Sequence, residues 1–193
     1  MNFTKTFDTD YLLCGRLELP WNSVRADLAT VSTDVTRTSS VVGGKLPYND
    51  DLTKIESEYE KFGYTEYNTR IWKTTGIEPK LTFSWEEEIL KQLPLDHGVA
   101  TVTRQDAGQI LPWHEDRFFM LRRLYPTDNR PIWRFLLFLE DWKMGHVLQV
   151  NNSMLHHWHQ GDVVVWQPGT MHVSANIGLE TKWTCNITGF LNE

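Results

Sequence analysis

The sequence predicts a mainly β fold of the jelly-roll or sandwich class with helices ahead of it, and three observations carry that prediction. From His97 onward, short stretches rich in Val, Ile, Leu, Phe and Trp recur at even spacing. Between them stand Gly145, Asn151-Asn152, Gly161, Pro168-Gly169 and Gly178, residues that reverse the chain. Before residue 97, apolar residues recur instead at helical spacing. The 193 residues, 40% hydrophobic and with nine tryptophans, are the material of one domain around one core. The expectation is a single domain over 1–193, with 1–96 as mostly helical support and loops and 97–190 as the β core.

The elements follow in order. Pro20 ahead of Trp21, Val24 and Leu28 predicts a short helix, because proline suits a first turn. Asp50-Asp51 opening onto Ile55, Tyr59 and Phe62 predicts a second helix, stopped at Gly63. Between them the polar, glycine-containing 36–47 segment reads as an exposed loop, either a lid or a connector. Ser84-Trp85-Glu86-Glu87 has the form of a capping box before Ile89, Leu90 and Leu93, so a third helix should end near Pro94. Strands are expected at 99–103, 132–139, 147–150, 162–166, 173–176 and 183–188, and the Arg122-Arg123 region is read as a strand as well.

Composition narrows the function. The net charge is −6, the pI about 5.6, and no basic block exceeds Arg122-Arg123, so no groove for a nucleic-acid backbone is expected. A single flipped-out base remains compatible with that charge. Cys14 and Cys185 alone do not make a disulfide framework and suit a reducing compartment. The first residues lack an apolar signal core and no apolar run reaches membrane-spanning length, so a soluble, cytoplasmic protein is expected. Its partner would be a protein, peptide or small-molecule substrate, and the oligomeric state stays open.

The chemistry is concentrated in Pro112-Trp113-His114-Glu115-Asp116 and in Pro168-Gly169-Thr170-Met171-His172-Val173. On an extended strand His114 and Asp116, two apart, leave the same face, and His172 begins a later strand after a turn. Two imidazoles and one carboxylate form the facial triad that leaves open positions on a non-haem Fe(II). Lys182 stands ten positions beyond His172, and Thr184 two beyond that on the same face. Arg134, a charge inside an apolar strand, needs a partner, either an anionic ligand or a core carboxylate. Tyr125 offers a phenol for a ligand or a ring for the core, and at most one of Arg122 and Arg123 faces inward. His156, His157 and His159 have no carboxylate or cysteine at a useful spacing and read as an exposed edge or site rim. Trp113, Trp166 and Trp183 read as packing around the core and the ligands.

Residues 97 to 190, on these motifs, resemble the double-stranded β-helix core of the Fe(II)/2-oxoglutarate-dependent oxygenases. The resemblance implies iron held by His114, Asp116 and His172. The ten-residue step from His172 to Lys182 is similar to the prolyl-4-hydroxylase-type enzymes, which implies that Lys182 binds the distal carboxylate of 2-oxoglutarate, with Arg134 as the rival and Thr184 and Tyr125 as helpers. The run from Trp158 through Gly161 and Trp166 to His172, and on through Trp183 to Thr188, also resembles the aspartyl/asparaginyl β-hydroxylases. That family often has glycine where this chain keeps Asp116, and arginine as its distal base. In size and layout the chain is similar to small oxygenases of large tailed cyanobacterial phages, which implies a host cytoplasm.

The implied activity consumes O2 and 2-oxoglutarate, releases succinate and CO2, and hydroxylates a substrate such as a prolyl, aspartyl or asparaginyl side chain. Two other classes compete. A cupin-like metalloprotein or isomerase without oxygenase activity would keep the strands but not need Lys182. A metal-free interaction module would bind no iron.

Overall fold

The computed structural model describes residues 3–31, 38–43, 58–74 and 83–192. Helix α1 (Trp21–Thr30) starts behind Pro20 and buries Val24 and Leu28, as their spacing predicts. Helix α2 (Glu86–Lys91) takes Trp85 as its N-cap with no side-chain cap bond, so the box at Ser84 does not form. Most of the helix expected from Asp50 lies outside the described residues. Its end is a helical turn over 58–61, followed by Gly63 at φ +83°. Half of the 36–47 loop also falls outside them; in the other half, 38–43, Thr38–Ser40 is a short strand in place of loop.

The strands are β1 (Leu12–Arg16), β2 (Thr38–Ser40), β3 (Arg70–Lys73), β4 (Leu95–Gln105), β5 (Ile110–His114) and β6 (Ile132–Phe138). They continue with β7 (His146–Val150), β8 (Ser153–Leu155), β9 (Asp162–Val165), β10 (His172–Asn176) and β11 (Lys182–Leu191). One sheet runs β1-β9-β6-β11-β4-β3-β2 and the other β5-β10-β7-β8. Numbered alone, β4 to β11 alternate between the sheets except for the β7–β8 hairpin, whose two-residue turn places Asn151 at φ +48°. That strand order is the double-stranded β-helix, a jelly roll.

Among the described residues of the first half, strands stand beside the expected helices. Strand β1 pairs with β9, and β3 pairs with β4, so N-terminal strands cover both edges of the larger barrel sheet. An uncovered edge would leave a row of backbone donors and acceptors unpaired. The Arg122-Arg123 region departs from expectation too: it is helix α3 (Phe119–Leu124), not a strand. Its signal is Phe118, Leu121 and Tyr125 at helical spacing, which gather on Ile132 and Phe190.

Strand alternation sorts the core. Trp133, Phe135 and Leu137 of β6 face outward with Val102, Cys185 and Ile187, under Val24 and Leu28 of α1 and Ile89 of α2. Leu136 and Phe138 face inward to meet Leu148, Val150, Val164 and Trp166 between the sheets. This is why β6 reads as a continuous apolar run: both of its faces are buried. The interior is not uniform, however. Across it Thr103, Gln105, His172, Asn176, Lys182 and Thr184 are buried polar residues on β4, β10 and β11. At the far end Gly145 (φ +90°) closes on Gly178, where a Cβ would lie 2.3 Å from a backbone nitrogen and force the two loops apart. No helix among the described residues is long and apolar enough to cross a membrane.

Candidate metal centre

His114 is the last residue of β5 and His172 the first of β10, and the two are partners in the antiparallel ladder. Their ring centroids lie 4.3 Å apart with a 51° tilt. Asp116 is not on the strand, because its partner strand begins only at His172 and no ladder continues past it. The chain beyond β5 still returns Asp116 to the histidines, so the pair meets by a route other than a shared strand face. His114 Nε2 stands 4.0 Å from Asp116 Oδ1, and His172 Nε2 stands 3.6 Å from Oδ2. One ligand atom from each of the three residues lies within 4.8 Å of the others.

Both rings are oriented by the backbone two residues earlier. His114 Nδ1 bonds Pro112 O at 2.6 Å and His172 Nδ1 bonds Thr170 O at 3.0 Å. A carbonyl only accepts, so Nδ1 carries the proton and each neutral ring presents the Nε2 lone pair to the centre. Burial, opposed by Asp116, pushes the His172 pKa down to about 4, which keeps that ring neutral at pH 7. Asp116 Oδ1 accepts from Arg134 Nη1, while Oδ2 is buried without a hydrogen-bond partner. An acceptor left so costs about 1–3 kcal/mol, which a cation would offset. Two Nε2 lone pairs and one bare carboxylate oxygen therefore fit a divalent metal ion. Trp166 rests on His172 with ring centroids 4.6 Å apart, and Tyr59 donates to Trp113 O at 2.7 Å, fixing the strand just before His114.

Lys182 lies along the same interior. It is 1% exposed, and its ammonium donates to Val147 O at 2.5 Å, Ser174 Oγ at 2.8 Å and, weakly, Ala175 O at 3.5 Å. The Ser174 hydroxyl in turn donates to Gln105 Oε1 at 2.7 Å. Every acceptor on Lys182 is neutral, and burial drives its pKa down to about 7. Ser174 is two residues from His172 on the same strand face, so Lys182 and the histidine sit one strand repeat apart along β10. Thr184 is buried on the same face of β11 as Lys182. The ammonium, the hydroxyls and the triad are thus polar groups of one barrel interior. Ser174 and Gln105 escaped the sequence reading, although strand alternation from His172 marks Ser174 as an inward residue.

The other candidates part company. Arg134 is brought to the triad, but as a partner of Asp116 and of Thr188 Oγ1, with Phe118 under its guanidinium at 5.2 Å. Tyr125 is not at the site. It stacks on His97 with centroids 4.0 Å apart and packs on Phe190, because α3 turns it to that cluster. Arg122 bonds the carbonyls of Asp128 and Arg130, and Arg123 is exposed. His156, His157 and His159 are exposed on the β8–β9 connection, not on a strand, and His157 has φ +58°. Trp183 packs on Trp72 on the outer face.

No family model matches the chain, and no curated protein does. Solved structures with a similar arrangement include an uncharacterized conserved protein with a double-stranded β-helix domain from Klebsiella pneumoniae. It is 17% identical over 52% of this chain and 73% of that one, with a TM-score of 0.35. Another is a predicted oxalate decarboxylase from Thermotoga maritima, 12% identical over 63% and 82%, TM-score 0.39. A third is a cupin 2 conserved barrel domain protein from Rhodopseudomonas palustris, 12% identical over 64% and 63%, TM-score 0.38. The fold is carried by the strand order given above, not by these likenesses. What the chain itself presents is a double-stranded β-helix with a His-Asp-His group suited to a metal ion.

Proposed function

We propose that this protein is an Fe(II)- and 2-oxoglutarate-dependent dioxygenase that hydroxylates its substrate. The observation that supports the co-substrate is Lys182, a buried ammonium with only neutral acceptors, one strand repeat from the metal-ligating His172. A buried cation with neutral hydrogen-bond partners, the Trp158 ring at 5.6 Å and only the longer-range field of Glu140 against its charge is a receptor for a carboxylate. The weak bond to Ala175 O is the one a carboxylate oxygen would replace, and Thr184 adds a hydroxyl from the same face. Ser174, fixed by Gln105, aims the ammonium. Bound iron supplies the site at which O2 is activated while 2-oxoglutarate is oxidised to succinate and CO2. The chain's own part is to orient three ligands, hold the distal carboxylate and exclude water with the Trp166 and Leu136 half of the interior.

The test is a thermal-shift titration of metal-free protein. Stabilisation by 2-oxoglutarate or N-oxalylglycine only when a divalent metal is present supports the proposal. A metal response without any co-substrate response leaves the cupin-like reading. No response to metal leaves neither.

A further inference from the structure

The carboxylate of Asp116 straddles the two imidazoles. Oδ1 faces His114 Nε2 at 4.0 Å, and Oδ2 faces His172 Nε2 at 3.6 Å. Both oxygens are thus turned to the place where the ring lone pairs converge, and a carboxylate so placed can ligate an ion through one oxygen or through both. Arg134 stands against this group. A guanidinium beside the ligand set repels a dication, so for metal affinity alone a neutral residue would serve better at this position.

The chain nonetheless fixes Arg134 there from three sides. Nη1 donates to Asp116 Oδ1, Nε donates to Thr188 Oγ1 at 3.1 Å, and the Phe118 ring lies under the guanidinium at 5.2 Å. Thr188 is also the ladder partner of Arg134, so the hydroxyl is built into the sheet that carries the arginine. Phe118 takes its place at φ +52° and ψ +29°, a left-handed conformation unfavourable for an aromatic residue, as the chain turns from Asp116 into α3. Asp116, Phe118 and Arg134 together line the opening beside the triad. The outcome is that Oδ1 is occupied and Oδ2 is left bare.

Coordination number gives that outcome its meaning. Two imidazoles and one carboxylate oxygen leave half the positions of an octahedral ion open, enough for the two chelating atoms of 2-oxoglutarate and for O2. A second oxygen from Asp116 would fill the last of them. We infer that Arg134, seated by Thr188 and Phe118, is a positioning residue that holds Asp116 to one metal-ligating oxygen and so keeps that last position open. The metal site alone carries this inference; only the use of the open position for O2 rests on the dioxygenase reading.

The experiment counts exchangeable waters on Mn(II) bound to the full chain, from the broadening of its electron paramagnetic resonance lines in water enriched with a magnetic oxygen isotope. Wild type should hold roughly three waters, and roughly one with saturating N-oxalylglycine. Arg134→Met, which removes the donor to Oδ1, should lose one water in each state. Thr188→Val should lose part of it, and Arg134→Lys should restore part, because an ammonium can still donate to Oδ1. A site that was merely weakened would bind less Mn(II) without changing the waters on the ion that is bound. Equal counts in wild type and Arg134→Met overturn the inference, as does a wild type already one water short. If Arg134→Met does not fold, equal counts in wild type and Thr188→Val overturn it instead. If N-oxalylglycine leaves the wild-type count unchanged while Arg134→Met still loses a water from the metal alone, the dioxygenase reading falls and the role of Arg134 stands.

Discussion

The two ends of the barrel interior hold their cations in opposite ways. At the mouth, Arg134 is bound to the carboxylate of Asp116 and to Thr188. At the deep end, Lys182 is fully buried and its hydrogen-bond partners among the described residues are two carbonyls and a hydroxyl, with Glu140 acting on it only at longer range. The sequence makes them rivals for one role on different grounds, Lys182 by its ten-residue step from His172 and the resemblance that step carries, Arg134 as a charge inside an apolar strand. Their partners separate them. A cation already matched by a protein carboxylate is part of the site's architecture, whereas a buried one facing neutral acceptors keeps an unspent charge for a ligand.

The sharpest way to break this comparison is to remove the anion at the mouth. Asp116→Ala and His172→Ala should each abolish stoichiometric Fe(II) binding after anaerobic reconstitution, since each leaves two protein ligands. Retained iron in both variants would mean that the triad is not the metal site. Next in size is the deep end. Lys182→Ala should cost about 3 kcal/mol, roughly a hundredfold in 2-oxoglutarate affinity by calorimetry, while iron stays bound. Loss of iron in this variant would show that the two ends are not separable.

The fold was largely legible and the site only in part, for a physical reason that particular residues make plain. Strands β6, β9 and β11 announce themselves because burial on one or both faces writes itself into period and composition. The triad is legible because its spacing coincides with strand alternation and a turn, even though Asp116 reaches the centre from beyond the strand end. Helix α3 reads as a strand from sequence because Phe118, Leu121 and Tyr125 are too short a stretch for helical period to show, although Arg122 and Arg123 are at the surface and the Tyr125 ring packs in a core cluster, each a reading the sequence offered. Gln105 carries no local signature, and strand alternation from His172 marks Ser174 only as inward-facing. Their roles come from pairing with strands far off in sequence, which no local pattern records.

Acidity separates the ends with less perturbation. Burial places the Lys182 pKa at about 7, so the free protein loses its ammonium above that pH. Co-substrate affinity should hold below pH 7 and fall by up to about tenfold per unit above it. Stability carries the opposite sign. Lysine in the unfolded chain stays protonated to about pH 10.4, so between these values the unfolded state binds the extra proton and the Lys182 contribution to stability rises with pH. Lys182→Met should flatten both trends, and a wild-type affinity independent of pH from 6 to 9 would mean that no such ammonium takes part.

The smaller effects distinguish aiming from binding. Ser174→Ala removes one neutral acceptor from Lys182 and the donor to Gln105, a loss of about 1 kcal/mol or fivefold in 2-oxoglutarate affinity. Arg134→Gln should change that affinity least, within about threefold, because its hydrogen bonds end on Asp116 and Thr188 and not in the Lys182 pocket. The same substitution removes the donor from Asp116 Oδ1, so its effect should fall on the metal, read as a change in Fe(II) affinity with co-substrate affinity nearly constant. A hundredfold loss of 2-oxoglutarate binding in Arg134→Gln, alongside an unaffected Lys182→Ala, would reverse the assignment. The mouth would then be the co-substrate anchor, and the deep ammonium a structural one satisfied by the strand carbonyls it already meets.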